Sequence, residues 1–192
     1  MTTLVLPDLR WFPGWAATVA DFGGKNMHGS GDWNLDQPLE PTEESCHAFM
    51  AALAASAPGD PGGGKVPSTY YWITAEDGGP DDEVIGFLNL RHDLNDFLLE
   101  EGGHIGYSVR PARRRQGHAS RALGLSVAAA GALGIDRVLL TCDTDNEASA
   151  RTIEANGGVL EDVRKGKRRY WVTVPSSQRR SGARGGAAGG RP

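Results

Sequence analysis

Ser108 to Ala122 reads SVRPARRRQGHASRA, and the fold turns on how these fifteen residues are parsed. The run HIGYSVR, His104 to Arg110, has the β-former density of a strand. Pro111 closes it, because its ring lacks a donor and disfavours continued pairing. An arginine-rich turn follows, and a helix opens at Gly117. The first amides of such a helix have no intrahelical acceptor and the helix dipole adds positive potential, so a pyrophosphate fits there. Gly117 lets the backbone approach an anion without a Cβ, and Ala119 keeps the next turn slim. A basic turn that is simply a solvated face is the other reading of the same residues.

Outward from this point the pattern is regular. Gly117 to Ala132 is small and helix-compatible, with Leu123, Val127 and Leu133 at spacings that suit one face. Asp136 to Cys142 (DRVLLTC) reads as a buried strand. A polar break at Asp143 to Asn146 opens a helix to about Asn156, which Gly157 and Gly158 stop. Val159 to Val163 and Arg169 to Val174 read as closing strands. Upstream, Thr42 can cap a helix from Glu43 to about Ser56, and STYYWITA (68–75) and EVIGFLNLR (83–91) form a hairpin around EDGGPDD. The Gly/Pro stretch 57–67 is a loop within one domain, because neither side of it is self-sufficient. The order predicts a mixed α/β sheet with at least one parallel crossover.

Composition bounds the function. The chain has 192 residues, 39% hydrophobic and 23% charged, and no run near the roughly 20 apolar residues of a membrane span. Its N-terminus has no basic stretch leading into an apolar one, so a cytoplasmic location is expected. The formal charge is −4, and four arginines but no acid lie in the last 17 residues, which leaves −8 for residues 1–175. An acidic body argues against a nucleic-acid-binding fold. Residues 176–192, rich in Gly, Arg and Ala, are expected to be a disordered tail beside a single domain of residues 1–175. Cys46 and Cys142 lie in no metal-ligand spacing, so neither a disulfide framework nor a metal is expected, and Cys142 reads as a packing residue.

A resemblance now becomes specific. Arg114, Gly117 and Ala119 match the Arg/Gln-x-x-Gly-x-Gly/Ala signature of the GNAT superfamily of acyl-CoA-dependent N-acyltransferases, with Val109, Arg110 and Pro111 leading in as they do there. Residues 136–158, DRVLLTCDTDNEASARTIEANGG, look like the family's next strand and its Asn-x-x-Ala/Ser helix. By element order the likeness covers residues 84–174. It implies a mostly antiparallel sheet splayed at its centre and flanked by helices, with the pantetheine arm of acetyl-CoA between the strands ending at Val109 and near Cys142. Ser108, Val109, Arg114, Arg115, Gln116, Gly117, His118, Ala119 and Ser120 would hold the coenzyme. Asn146 and Ser149 would face its thiol end, although Asn146 also suits a plain helix start. The implied reaction is direct attack of a small-molecule or peptide primary amine on the thioester, without metal, and a homodimer is compatible with it.

Two departures from the family pattern matter. The tyrosine that many members carry seven residues after the helix asparagine is Ile153, and the Gly-Phe after that helix is replaced by Gly157, Gly158 and Val159. An isoleucine cannot protonate a leaving thiolate, which leaves Tyr107, Ser149 or water. For the base that takes the amine proton, His104 is the first candidate and Glu101 the second, while a strand-end histidine satisfied by its neighbours is the other reading of His104. The backbone N–H of Val109 suits the oxyanion. His92, Asp93 and Asp96 can meet a cationic acceptor or be ordinary loop residues. Alternatives to acetyl transfer are a non-catalytic acyl-CoA-binding module, motivated by Ile153, and transfer from a carrier-protein thioester.

Overall fold

A computed structural model describes residues 1–35, 37–55, 65–75 and 83–175. The expectations for the 57–67 loop in large part, for the turn EDGGPDD and for the tail 176–192 lie outside these residues.

Strand β1 (Thr2–Val5) leads through a short 3-10 turn into α1 (Phe12–Phe22), and α2 (Glu43–Ala55) follows. Then come β2 (Ser68–Ala75), β3 (Glu83–Arg91), β4 (Ile105–Val109), α3 (His118–Ala132), β5 (Arg137–Asp143), α4 (Glu147–Ala155), β6 (Val159–Arg164) and β7 (Lys167–Thr173). Thr42 starts α2 as expected, its Oγ1 accepting from the Ser45 amide at 3.2 Å. Proline and glycine in PGW do not prevent α1, because Pro13 occupies the first turn, where its missing N–H costs nothing.

The strands form two sheets, β1-β2-β3-β4 and β5-β7-β6, and every ladder among the described residues is antiparallel. The β4–α3–β5 crossover therefore spans a gap instead of carrying a parallel ladder of its own. Strand β3 is buried on both faces, which explains its nearly continuous apolar run. A register slip opposite Ile73 and Thr74 breaks its alternation, so that Ile85 and Leu88 enter one core and Val84 and Phe87 the other. The first core, on the α3/α4 side, is aliphatic and includes Leu90, Ile105, Val109, Leu123, Leu140 and Ile153. The second, under α1 and α2, is aromatic and includes Trp15, Phe49, Tyr70 and Trp72.

The two sheets meet just before β4. The His104 amide donates to the Leu139 carbonyl at 2.7 Å, and the Leu139 amide donates to Nδ1 of the His104 ring at 2.9 Å. A second tie lies beside it, where Thr141 Oγ1 donates to the Glu101 carbonyl at 2.6 Å. Gly103, at φ 65°, makes the approach possible: a Cβ there would stand 2.6 Å from the Leu139 carbonyl oxygen. Beyond this clasp the strands diverge.

His104 is buried, and burial lowers its pKa from 6.5 to about 4, with Asp93 opposing and Arg91 reinforcing the shift. The unfolded chain then binds the extra proton between these values, so the clasp's contribution is present above pH 6.5 and is lost as pH falls towards 4. In urea titrations, wild-type stability should fall over that window by on the order of 2–3 kcal/mol more than that of His104→Asn, whose amide oxygen can accept the Leu139 N–H without titrating. Equal pH slopes would remove the histidine from this account.

Candidate active site

The turn after β4 assigns its arginines individually. Arg110 and Arg113 pair with Glu83, Arg110 also faces Asp21 at 3.7 Å, and the Ala112 amide donates to Asp21 at 3.1 Å, which pins the turn to β3 and α1. Arg114 Nε donates to the Val109 carbonyl at 2.9 Å. Arg115, exposed and at φ 63°, has no protein partner among the described residues. Gly117 stands at the N-cap of α3 with φ 82°, and no side chain caps this helix. A Cβ on Gly117 would meet nothing within 4 Å, so glycine is required here by the left-handed backbone. The amides of the first turn of α3 are thus left for an anion. Around them, His118 Nδ1 and Thr2 Oγ1 lie 2.9 Å apart, and Ser120 Oγ accepts from Asn156 Nδ2 at 3.0 Å, so these side chains brace the helix start from β1 and from the end of α4. Gln116 is exposed and Ala119 half-buried.

The edge of β4 facing the gap follows from the ladder. Arg91 N–H donates to His104 O and Arg110 N–H to Ile85 O, so even-numbered residues of β4 bond to β3. The N–H and C=O groups of Tyr107 and Val109 therefore point away from β3, towards β5, with which β4 forms no ladder. The Val109 carbonyl is the one Arg114 covers. Its N–H faces the gap, on the side where an oxyanion would need a donor.

Across this gap the structure joins two residues that the sequence offered as alternatives. The Tyr107 hydroxyl and Ser149 Oγ lie 3.0 Å apart, linking β4 to the first turn of α4. Burial raises the Tyr107 pKa while the bond to Ser149 opposes it, so the phenol is protonated at neutral pH. Asn146 is the N-cap of α4, its Oδ1 accepting from the Ser149 amide at 3.0 Å, and so acts at this site by orienting Ser149. Cys142 is buried beside the pair, and burial raises its pKa, which suits a packing thiol better than a nucleophile. Ile153 is fully buried in the aliphatic core.

His104 does not have the geometry expected of a base. Its Nδ1 lone pair accepts the Leu139 amide, so in the neutral ring Nε2 carries the proton, and burial weakens its basicity further. Glu101 lies at the same closed end of the gap, its carboxylate about one-third exposed and 3.8 Å from Lys165. His92 Nε2 and Thr69 Oγ1 lie 2.8 Å apart, which ties His92 to β2, and Asp93 accepts from the Leu94 amide at 2.8 Å within its own turn. Asp96 is exposed. Two residues not expected from the sequence also stand out: Arg91, whose guanidinium reaches the Gly102 and Gly103 carbonyls at 3.2 and 3.0 Å, and Asn89, fully buried with neither amide atom hydrogen-bonded. The signal available was two polar residues at alternate positions in an otherwise apolar run.

Among the described residues no cluster of His, Cys, Asp or Glu is arranged to hold a metal, and no helix is long and apolar enough to cross a membrane. No curated protein matches the sequence. Solved structures share the fold: the ribosomal L7/L12 alpha-N-protein acetyltransferase RimL in complex with coenzyme A (TM-score 0.57, 18% identity, 90% of this chain and 94% of that one); the microcin C7 self-immunity acetyltransferase MccE with acetyl-CoA and AMP (0.57, 15%, 90% and 92%); and Mycobacterium smegmatis RimJ with CoA-disulfide (0.62, 18%, 92% and 83%). The model of the acetyltransferase (GNAT) domain matches residues 19–159, well over half of the chain. With that match lying over the splayed sheets and the uncapped α3, the chain belongs to the GNAT acetyltransferase family, whose co-substrate is acetyl-CoA.

Proposed function

We propose that this enzyme acetylates a primary amine of a small molecule or peptide by direct attack, with acetyl-CoA lying in the gap between β4 and β5. The observation that carries the reading is the Tyr107–Ser149 pair, which puts two protonated hydroxyls across the gap where Ile153 supplies none. In this reading the pyrophosphate rests on the amides of Arg115 to Ser120, with Arg114 and Arg115 as the cations of the turn that no acid among the described residues takes up. The neutral amine attacks the thioester carbonyl carbon, and the Val109 N–H stabilises the oxyanion. As the C–S bond breaks, the thiolate takes a proton from the Tyr107–Ser149 pair, which bulk water restores. The amine's surplus proton leaves through water to Glu101 or solvent, and His104 acts by holding the two sheets together. RimL is by name a ribosomal L7/L12 alpha-N-protein acetyltransferase and MccE a microcin C7 self-immunity acetyltransferase, and the acceptor proposed here is kept as broad as a small molecule or a peptide. Cys46 and Cys142 are buried, unpaired thiols, which suits a cytoplasmic location.

The cradle is tested by Gly117→Val. A β-branched residue at φ 82° must shift the backbone, so coenzyme A affinity measured by calorimetry should fall about tenfold or more with the fold retained. Unchanged affinity in the folded variant would place the pyrophosphate elsewhere.

Tyr107→Phe and Ser149→Ala should each lower kcat about 10- to 100-fold with little change in acetyl-CoA affinity, and the double variant should lose scarcely more than the worse single one, because the two hydroxyls act as a unit. Full turnover in both single variants would assign the proton to water. His104→Asn should keep kcat within about threefold, whereas Glu101→Gln should lower it more if the carboxylate takes the proton.

A further inference from the structure

The aromatic-core side of β3 carries Phe87, then Asn89, then Arg91. Arg91 is a cation with no carboxylate partner among the described residues: it holds the carbonyls of Gly102 and Gly103 through one nitrogen and lies under the half-exposed ring of Trp33, 5.7 Å from the ring centroid. Asn89 sits in register between Tyr70 on β2 and Gly106 on β4. Its amide is fully buried with both polar atoms unpaired, and the Ser108 hydroxyl, on the same side of β4, is buried and unpaired as well. Orphaned polar groups cost roughly 1–3 kcal/mol each, and a folded chain retains few without a use for them. Over this row the main chain is cut back to glycine. Gly29, at φ 83°, packs so closely on Gly106 that a Cβ would stand 2.3 Å from the Gly106 carbonyl oxygen.

The position of this row along β4 gives it a direction. The pyrophosphate cradle follows Val109 at one end of the strand, and the Tyr107–Ser149 pair marks its middle. Arg91 is bonded to His104 at the other end, through its own amide. At about 3.3 Å per residue, the level of Arg91 lies roughly 10 Å along β4 from that of Tyr107, and Arg91 leaves the sheet on the aromatic-core face, opposite the face that carries Tyr107, so an acceptor held there reaches the gap from the face opposite the Tyr107–Ser149 pair.

We infer that Arg91, roofed by Trp33, is the anion anchor of the acceptor site, and that the acceptor is a primary amine carrying a carboxylate several bonds from its nitrogen. A guanidinium offers a carboxylate a fork of parallel donors, and the aromatic roof and surrounding burial strengthen that pairing. The inference rests on the acetyltransfer reading above and specifies its substrate class.

The test uses the full chain, saturating acetyl-CoA and two matched series of probes: ω-amino acids of three to eight carbons and their primary carboxamides, with thiol release as the readout. The carboxylates should be preferred by tenfold or more in kcat/KM, with an optimum chain length. Arg91→Gln should abolish that preference through KM and leave acetyl-CoA affinity unchanged. Because Arg91 also holds two carbonyls, Trp33→Ala, at an exposed position, supplies a second variant, and it should reduce the preference several-fold. A purely structural Arg91 would alter both series alike, and that outcome overturns the proposal. Transfer to carboxamides equal to or better than transfer to carboxylates overturns it too, while leaving acetyl transfer itself standing. Transfer to neither series with acetyl-CoA bound overturns the proposal as well, and a panel of peptide amines run alongside, accepted or refused, decides separately whether acetyl transfer stands.

Discussion

The main chains of the two sheets are clasped at one end of the gap, where the rest of the site begins. Two four- and three-stranded sheets touch where His104 and Leu139 exchange hydrogen bonds, one from backbone to backbone and one from backbone to imidazole. A continuous ladder would have closed the sheet and consumed the inner edges of β4 and β5. A clasp at one end instead leaves those edges free further along, and the gap that results is both the channel proposed for the coenzyme and the reason Tyr107 meets Ser149. Using a ring nitrogen as an acceptor lets the chain turn away after one contact, since the ring ends the ladder where another carbonyl would have continued it.

Around the gap, chemistry is divided between main chain and side chains. Glu83 and Asp21 take up Arg110 and Arg113, so that half of the turn's apparent positive charge is structural. The same holds at α4, where Asn146 spends its oxygen on the helix start. In the proposed reading the groups left for binding and reaction are few: the first amides of α3, the N–H of Val109 and two hydroxyls.

Much of this was legible beforehand. STYYWITA and EVIGFLNLR have the bounds of β2 and β3, and α3 begins one residue after the glycine that marks it, because β-branching, turn residues and helix starts are local signals. Strand β1 and helix α1 were not assigned: four residues of strand carry little pattern, and Pro13 with Gly14 disguises a helix whose first turn tolerates both. Tyr107 and Ser149 were named separately, but only tertiary structure joins residues 42 apart in sequence. His104 was singled out for its chemistry, and its function in the fold depends on a backbone amide 35 residues away, which no spacing announces.

The α3 cradle has a consequence for how such a protein tolerates change. In the proposed reading its ligand groups are peptide N–H donors held by two left-handed residues, Arg115 and Gly117, so nearly any side chain at 116 or 119 that permits the same backbone presents the same donors. On that reading an alanine scan of its side chains would register the loss of the guanidinium groups of Arg114 and Arg115 and pass over the peptide donors beside them. Mutational tolerance there measures the indifference of the backbone to its decoration, and only substitutions that bend the chain or remove an amide can make the site visible.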